Sequence, residues 1–185
     1  MDEGAEAYKR FCSGDDNGLE QVIELYKDSL IFFIMQYVRS ADIAEELTED
    51  TFVTLAVKKP NFTENARFRT WLYTIARNKA LNFLRSAAFR KSVPLEQAEA
   101  VQILDCPEQQ LLRQERYRAL YSAIESLPKN QREMIYLVYF EDMSIEQAAR
   151  VIRKTQRQGN NILFRARQKL RSLLQEEGFE YENKL

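Results

Sequence analysis

Ser144-Ile-Glu-Gln-Ala-Ala-Arg-Val-Ile-Arg-Lys-Thr-Gln-Arg-Gln158 holds two helix starts within fifteen residues. Ser144 with Gln147 and Thr155 with Gln158 each have the spacing of a capping box. In that motif the hydroxyl accepts from a first-turn amide and the amide side chain reaches back to the cap. A turn near Arg153–Lys154 separates the two helices, so the stretch predicts a helix-turn-helix. On the second helix Leu163, Ala166, Leu170 and Leu174 share one side at 100° per residue. Arg157, Asn161, Phe164, Arg165 and Gln168 share the other. The apolar side packs inward. The amide and guanidinium side suits base edges and phosphates in a major groove, and it equally suits an ordinary solvated helix face.

Working outward, Tyr117, Leu120, Tyr121, Ile124 and Leu127 predict a helix stopped by Pro128, which suits the first turn of the next. Met134, Ile135, Val138 and Tyr139 give that next helix its apolar face. Upstream, residues 92–110 hold two prolines and four acids with no base, and read as a linker. Before it, Leu19, Val22, Ile23, Tyr26, Leu30, Phe33, Ile34 and Tyr37 recur at helical spacing. Ser40 can cap a further helix with Ala44, Leu47, Thr48, Thr51 and Leu55 on one face, ended by Pro60. A third runs from about Arg67 to Phe89 with Phe68, Leu72, Ile75 and Phe83 inside, and a short helix is expected near Ala5–Phe11. Five glycines and four prolines in 185 residues leave little punctuation for β architecture, so an all-α fold of two small domains is expected.

The net charge of −1 is a cancellation. Residues 42–50 carry acids and no base, whereas residues 65–91 and 150–171 carry bases and no acid. Such runs are either solvated faces or segregated binding surfaces. The chain has no histidine and no Gly-rich phosphate loop, which removes the commonest general base and nucleophile partner and leaves no catalytic constellation. Cys12 and Cys106 form no metal or disulfide pattern, and the Leu30–Met35 apolar run is too short for a bilayer. The expectation is a cytoplasmic protein with no cofactor, no metal, no small-molecule substrate and no membrane insertion.

Four motifs carry a resemblance. Ser40-Ala-Asp-Ile-Ala-Glu-Glu-Leu-Thr-Glu-Asp-Thr-Phe52 is similar to the acidic polymerase-binding helix of bacterial sigma factors. Phe68-Arg-Thr-Trp-Leu-Tyr-Thr-Ile-Ala-Arg-Asn78 resembles the family's F-x-T-W-L-x-x-I-A-x-N run. Ile124-Glu-Ser-Leu-Pro-Lys-Asn-Gln-Arg132 resembles the opening of its second domain, and Phe164-Arg-Ala-Arg-Gln-Lys-Leu-Arg171 the end of its recognition helix. Order and spacing match the short extracytoplasmic-function type of the sigma-70 family. The resemblance implies a region 2 helical bundle over residues 1–91, an acidic linker over 92–112, a region 4 helix-turn-helix domain over 113–175 and an acidic tail over 176–185.

It also implies roles. Asp42, Glu45, Glu46 and Asp50, with Leu47 and Phe52, would dock on the clamp helices of core RNA polymerase, Leu47 and Phe52 being equally readable as core. Phe62, Asn65, Arg67, Trp71, Arg77, Asn78, Lys79, Asn82 and Arg85 would hold the −10 element by stacking, amide and phosphate contacts. Trp71 is open between that surface and the core. Thr155, Arg157, Asn160, Asn161, Phe164, Arg165, Arg167 and Gln168 would read the −35 element. The linker would mimic RNA or act as a plain tether. Core polymerase (clamp helices and flap), promoter DNA and an anti-sigma factor are the implied partners. Lys154 stands where the family has an apolar residue and Gly159 where it has a buried valine, a loss of about 1 kcal/mol of helix propensity. That departure predicts a −35 element unlike the common one. Two other readings remain, a DNA-binding regulator on the same scaffold that no longer initiates transcription, and a helical protein-interaction module.

Overall fold

The computed structural model describes residues 2–63, 67–89 and 120–176, all of whose regular structure is helical. Asn65 and the linker lie outside these residues, as does the tail beyond Glu176.

Helix α1 (Glu3–Cys12) starts where Asp2 accepts from the Ala5 amide at 3.3 Å. Its other carboxylate oxygen accepts from the Phe68 amide at 2.8 Å, tying α1 to the start of α4 (Phe68–Phe89). Glu3 and Glu6 in the first turn and Lys9 and Arg10 in the last oppose the helix dipole favourably. Helix α2 (Asn17–Val38) is the central post, with Val22, Leu30, Phe33 and Ile34 fully buried on the face the periodicity marked. It stops at Arg39 in the left-handed region, φ 53°. Ser40 then caps α3 (Ala41–Lys58), accepting from the Ile43 amide at 3.4 Å. Ala44, Leu47, Thr48, Thr51 and Leu55 turn inward as expected, and the two threonines return their hydroxyls to carbonyls one turn back at 2.8 Å. That internal bond is what lets a hydroxyl sit in a dry core.

In the second half, α5 is described over 120–125, followed by α6 (Lys129–Tyr139), α7 (Ile145–Val151) and α8 (Gln156–Glu176). Both capping boxes form. Ser144 Oγ accepts from the Gln147 amide at 3.2 Å and Gln147 Oε1 from the Ser144 amide at 2.8 Å. Thr155 Oγ1 accepts from the Gln158 amide at 3.2 Å and Gln158 Oε1 from the Thr155 amide at 3.0 Å. Arg153, at φ 58°, makes the turn between α7 and α8. The apolar face expected of α6 is rotated. Met134, Ile135 and Leu137 are buried, while Tyr139 and, on α5, Tyr121 are about half exposed. The reason is that the other half covers a different side of α6 from the one its own helix-turn-helix covers.

The two halves are packed together. Phe33 of α2 meets Tyr73 of α4 at 5.0 Å between ring centroids and Tyr136 of α6 at 5.8 Å. One apolar core therefore runs through α2, α4 and α6.

Candidate nucleic-acid interface

Asp42, Glu45, Glu46 and Asp50 on α3 are all exposed. Glu45 meets Lys27 at 3.6 Å and Asp50 meets Lys79 at 3.8 Å, both too solvated to contribute much to stability. Leu47 and Phe52 are 7% and 6% exposed and belong to the core, so they are not surface anchors. The apolar groups on the acidic face are instead Val53 and Val57, 55% and 77% exposed. Val53 follows Glu49 and Asp50 by four and three residues and Glu46 by seven, and Val57 follows Val53 by four, a spacing that puts all five on one side of the helix. That spacing was the available signal.

On α4, Arg67, Trp71, Asn78, Asn82 and Arg85 fall within about 60° of one another at 100° per residue, the first preceding the helix by one position. Arg67, Asn82 and Arg85 are exposed, and Trp71 and Asn78 are partly so. Phe62 packs at 5.4 Å from both Phe68 and Trp71, and Tyr8 lies 5.3 Å from Trp71. Trp71 is thus partly exposed and packed within this aromatic cluster. An apolar platform beside amides and guanidinium groups suits unstacked bases next to a phosphate chain.

Two residues expected in this set stand apart. Arg77 is only 8% exposed and gives Nε and Nη2 to Glu133 Oε2 at 3.3 and 3.2 Å, so it offers no phosphate contact in this conformation. Lys79 points to the acidic helix through Asp50. The physical reason is helical phase: both lie outside the arc that holds the other five.

The third face is on α8. Thr155, Arg157, Asn160, Asn161, Phe164, Arg165, Arg167 and Gln168 are all exposed, with Leu163, Ala166 and Leu174 buried beneath them. Phe164 is 61% exposed, an apolar side chain left largely uncovered by the described residues. Two of the eight are already engaged. Thr155 is the cap, and Arg167 donates from Nε to the Tyr139 hydroxyl at 2.6 Å while lying 5.5 Å from its ring. Six remain: Arg157, Asn161, Phe164, Arg165 and Gln168 form the outward arc, and Asn160 is exposed at its edge.

Gly159 is not a flaw in this helix. A Cβ there would lie 2.8 Å from the Cβ of Ala149 and 3.4 Å from Ile145 Cγ2. Glycine is what allows α8 to cross α7 this closely, and the propensity it gives up is offset by that contact. Gly159→Val is therefore expected to destabilise the helix-turn-helix by about 1–3 kcal/mol, read as a lower urea midpoint. An unchanged midpoint would show that the crossing has room to spare.

The chain is similar to known proteins over most of its length. The Sigma-70 region 2 model matches residues 22–90 and the Sigma-70, region 4 model matches residues 117–170, together well over half of the chain. The RNA polymerase sigma-H factor of Pseudomonas aeruginosa is 27% identical over 184 residues, 95% of each chain. The ECF RNA polymerase sigma factor BldN of Streptomyces coelicolor is 29% identical over 171 residues, 91% of this chain and 65% of that one. The fold is similar to that of the sigma factor RpoE solved with the anti-sigma factor NepR from Bartonella quintana. The TM-score there is 0.69 at 24% identity, covering 84% of this chain and 96% of that one. The chain belongs to the sigma-70 family of bacterial RNA polymerase sigma factors, in its extracytoplasmic-function branch.

Proposed function

We propose that this alternative sigma factor docks on core RNA polymerase through the acidic side of α3 and reads promoter DNA with two separate faces. The outward arc of α4 takes the −10 element and the outward arc of α8 the −35 element. One observation carries the assignment. The acids of α3 and the amide and guanidinium groups of α4 and α8 occupy different helices, each exposed and each over its own buried side. Opposite charges kept apart in this way serve opposite partners, a basic protein surface and a polyanion.

On α3, Asp42, Glu45, Glu46 and Asp50 set the charge, and Val53 and Val57 supply the apolar contact at its centre. On α4, Phe62 and Trp71 stack bases, Asn78 and Asn82 pair with base edges, and Arg67 and Arg85 hold phosphates. On α8, Asn161, Phe164, Arg165 and Gln168 face the groove. The work is binding rather than catalysis, and it is done where the polymerase is, in the cytoplasm. The proposed boundaries are residues 1–91, 92–112 and 113–175, with a short tail. An anti-sigma factor is a further partner by analogy with the Bartonella complex. Among the described residues no helix is long and apolar enough to cross a membrane.

Reversing Glu45 and Glu46 to lysine tests the docking face. The double variant is expected to bind core polymerase at least about tenfold more weakly, since like charges would face each other across the contact. Its stability is expected to stay within about 0.5 kcal/mol of the parent's, because both side chains are solvated. Fluorescence anisotropy against core enzyme and a urea melt give the two numbers. Undiminished polymerase affinity would remove α3 from the interface and favour a regulator that acts on DNA without the polymerase.

A further inference from the structure

We propose that α1 braces Phe62 and Arg67 from behind, which makes Asp2 and Tyr8 positioning residues for −10 recognition, although Tyr8 is buried and Asp2 is already engaged by two amides. The proposal rests on the reading of Phe62, Arg67 and the α4 arc as the −10 face. Helix α1 lies ahead of the residues that match region 2 and contributes none of the groups assigned to DNA.

The need for a brace lies in how α4 starts. Arg67 precedes the helix by one position, and its carbonyl accepts from the Trp71 amide at 3.2 Å. It therefore stands at the N-cap, where Ser, Thr, Asp or Asn would lend a side-chain oxygen to the first-turn amides. A guanidinium is a donor only, so those amides need an acceptor from elsewhere. Asp2, 66 positions upstream, supplies one, since its Oδ2 accepts from the Phe68 amide at 2.8 Å. Its charge also sits at the positive end of the α4 dipole, and its Oδ1 caps α1 at Ala5. Capping from a distance leaves the Arg67 side chain exposed and able to hold phosphate. A local capping residue at position 67 would remove that cation.

Helix α1 also holds the chain ahead of Phe62. Lys59 ends α3 in the left-handed region at φ 38°, and its ammonium lies 4.3 Å from the centroid of the Phe11 ring. At the next residue the Pro60 carbonyl accepts from the Tyr8 hydroxyl at 2.9 Å. Burial, then Cys12, raises that hydroxyl above its ordinary range, so it stays a donor. The Tyr8 ring backs Phe68 and Trp71 at 5.5 and 5.3 Å, the two rings on which Phe62 rests. Gly4 lets α1 come this close, because a Cβ there would lie 2.7 Å from Phe68 Cδ1. One short helix thus fixes Pro60, the aromatic platform and Phe68 together. Holding a platform in its binding geometry removes the ordering cost from the binding step. A loose platform adapts to several bases, whereas a held one rewards only those that fit, so the brace acts on discrimination as well as on affinity.

The test uses the full chain assembled with core polymerase. The parent holoenzyme first selects its preferred promoter from duplexes randomised across the −10 and −35 elements. Affinity is then measured for that promoter and for the same promoter with its −10 bases scrambled, and the ratio of the two is the reading. Tyr8→Phe deletes only the hydroxyl and keeps the ring. Asp2→Asn keeps the shape but turns an NH2 group toward one of the two amides. Each is expected to lower the −10 ratio about threefold to tenfold, and the double variant to lower it further. The matching ratio for a scrambled −35 element, and the affinity for core polymerase, are expected to equal the parent's. A merely structural loss of folded protein lowers the affinity for both promoters alike and leaves the −10 ratio where it was. Glu6→Gln makes the same change of charge as Asp2→Asn at an exposed position of α1 and is expected to leave the ratio there too. An unchanged −10 ratio in the double variant, or −10 and −35 ratios that fall together, overturns the inference while the α4 reading stands. A parent that selects a −35 element but no −10 element removes the α4 reading itself, and the brace with it.

Discussion

Phe33→Ala is expected to cost about 3–5 kcal/mol, far more than replacing a solvated side chain. Phe33 is fully buried, and its ring lies 5.4, 5.0 and 5.8 Å from those of Tyr37, Tyr73 and Tyr136. These neighbours come from α2, α4 and α6, so they are fixed from three directions and cannot collapse into the space left behind. Part of the loss is transfer of the ring to water and part is the cavity, and aromatic pairing adds a further share. The variant is expected to loosen the joint between the halves as well as the first half itself, because Tyr136 loses the ring beside it. A urea melt followed both by near-ultraviolet circular dichroism and by a label on α8 would read the two effects. A loss below about 1 kcal/mol would mean that the site refills, and that the aromatic cluster is less rigid than its ring geometry indicates.

Arg165→Ala is expected to weaken binding to the preferred −35 element by about 1–3 kcal/mol, roughly fivefold to 150-fold, and to relax preference at one position. Arg165 lies on the exposed arc of α8 beside Phe164, whose ring suits a thymine methyl. Arg167 is a poorer candidate because Tyr139 already holds it. Asn160 and Asn161 are both exposed on the same helix, where an amide reads adenine well and attracts phosphate little. Asn160→Lys is therefore expected to strengthen binding to many sequences alike and to steepen the salt dependence by about one unit of slope. Selection from a randomised −35 library by parent and both variants separates the two effects. Identical elements and equal affinities in all three would remove α8 as the reader.

The two predictions draw on different parts of the information in the chain. Reading Arg165 as an outward group needed only the period of 3.6 residues, because Leu163, Ala166 and Leu174 mark the inner side of α8 and fix every other direction. The same was true of the caps. Ser40, Ser144 and Thr155 each satisfy amides within three residues, so no distant partner is needed to place them. The three long helices of the first half, and the faces that α2 and α3 bury, follow from such local rules; on α4 Phe68 and Leu72 are buried as expected, but Ile75 and Phe83 stay partly exposed while Tyr73, Ala76 and Ala80 are fully buried.

Other assignments needed the partner that folding supplies. Arg77 and Arg85 are both arginines on α4, and the sequence placed both in the DNA set. The structure separates them because Glu133, 56 positions away, buries the first. Phe52 and Val53 are adjacent apolar residues of α3, neither named on the inner face that periodicity marked, and only the packing of the other helices makes one core and the other surface. Gly159 looks like a weakness in an isolated helix and becomes a requirement once α7 crosses it at the Cβ of Ala149. The sequence by itself determined the helices, their caps, the inner faces of α2, α3 and α8 and the segregation of charge, since each depends on neighbours within a turn or two. The tertiary structure decided which exposed-looking groups remain available, because that depends on contacts between residues far apart in the chain, which periodicity cannot specify.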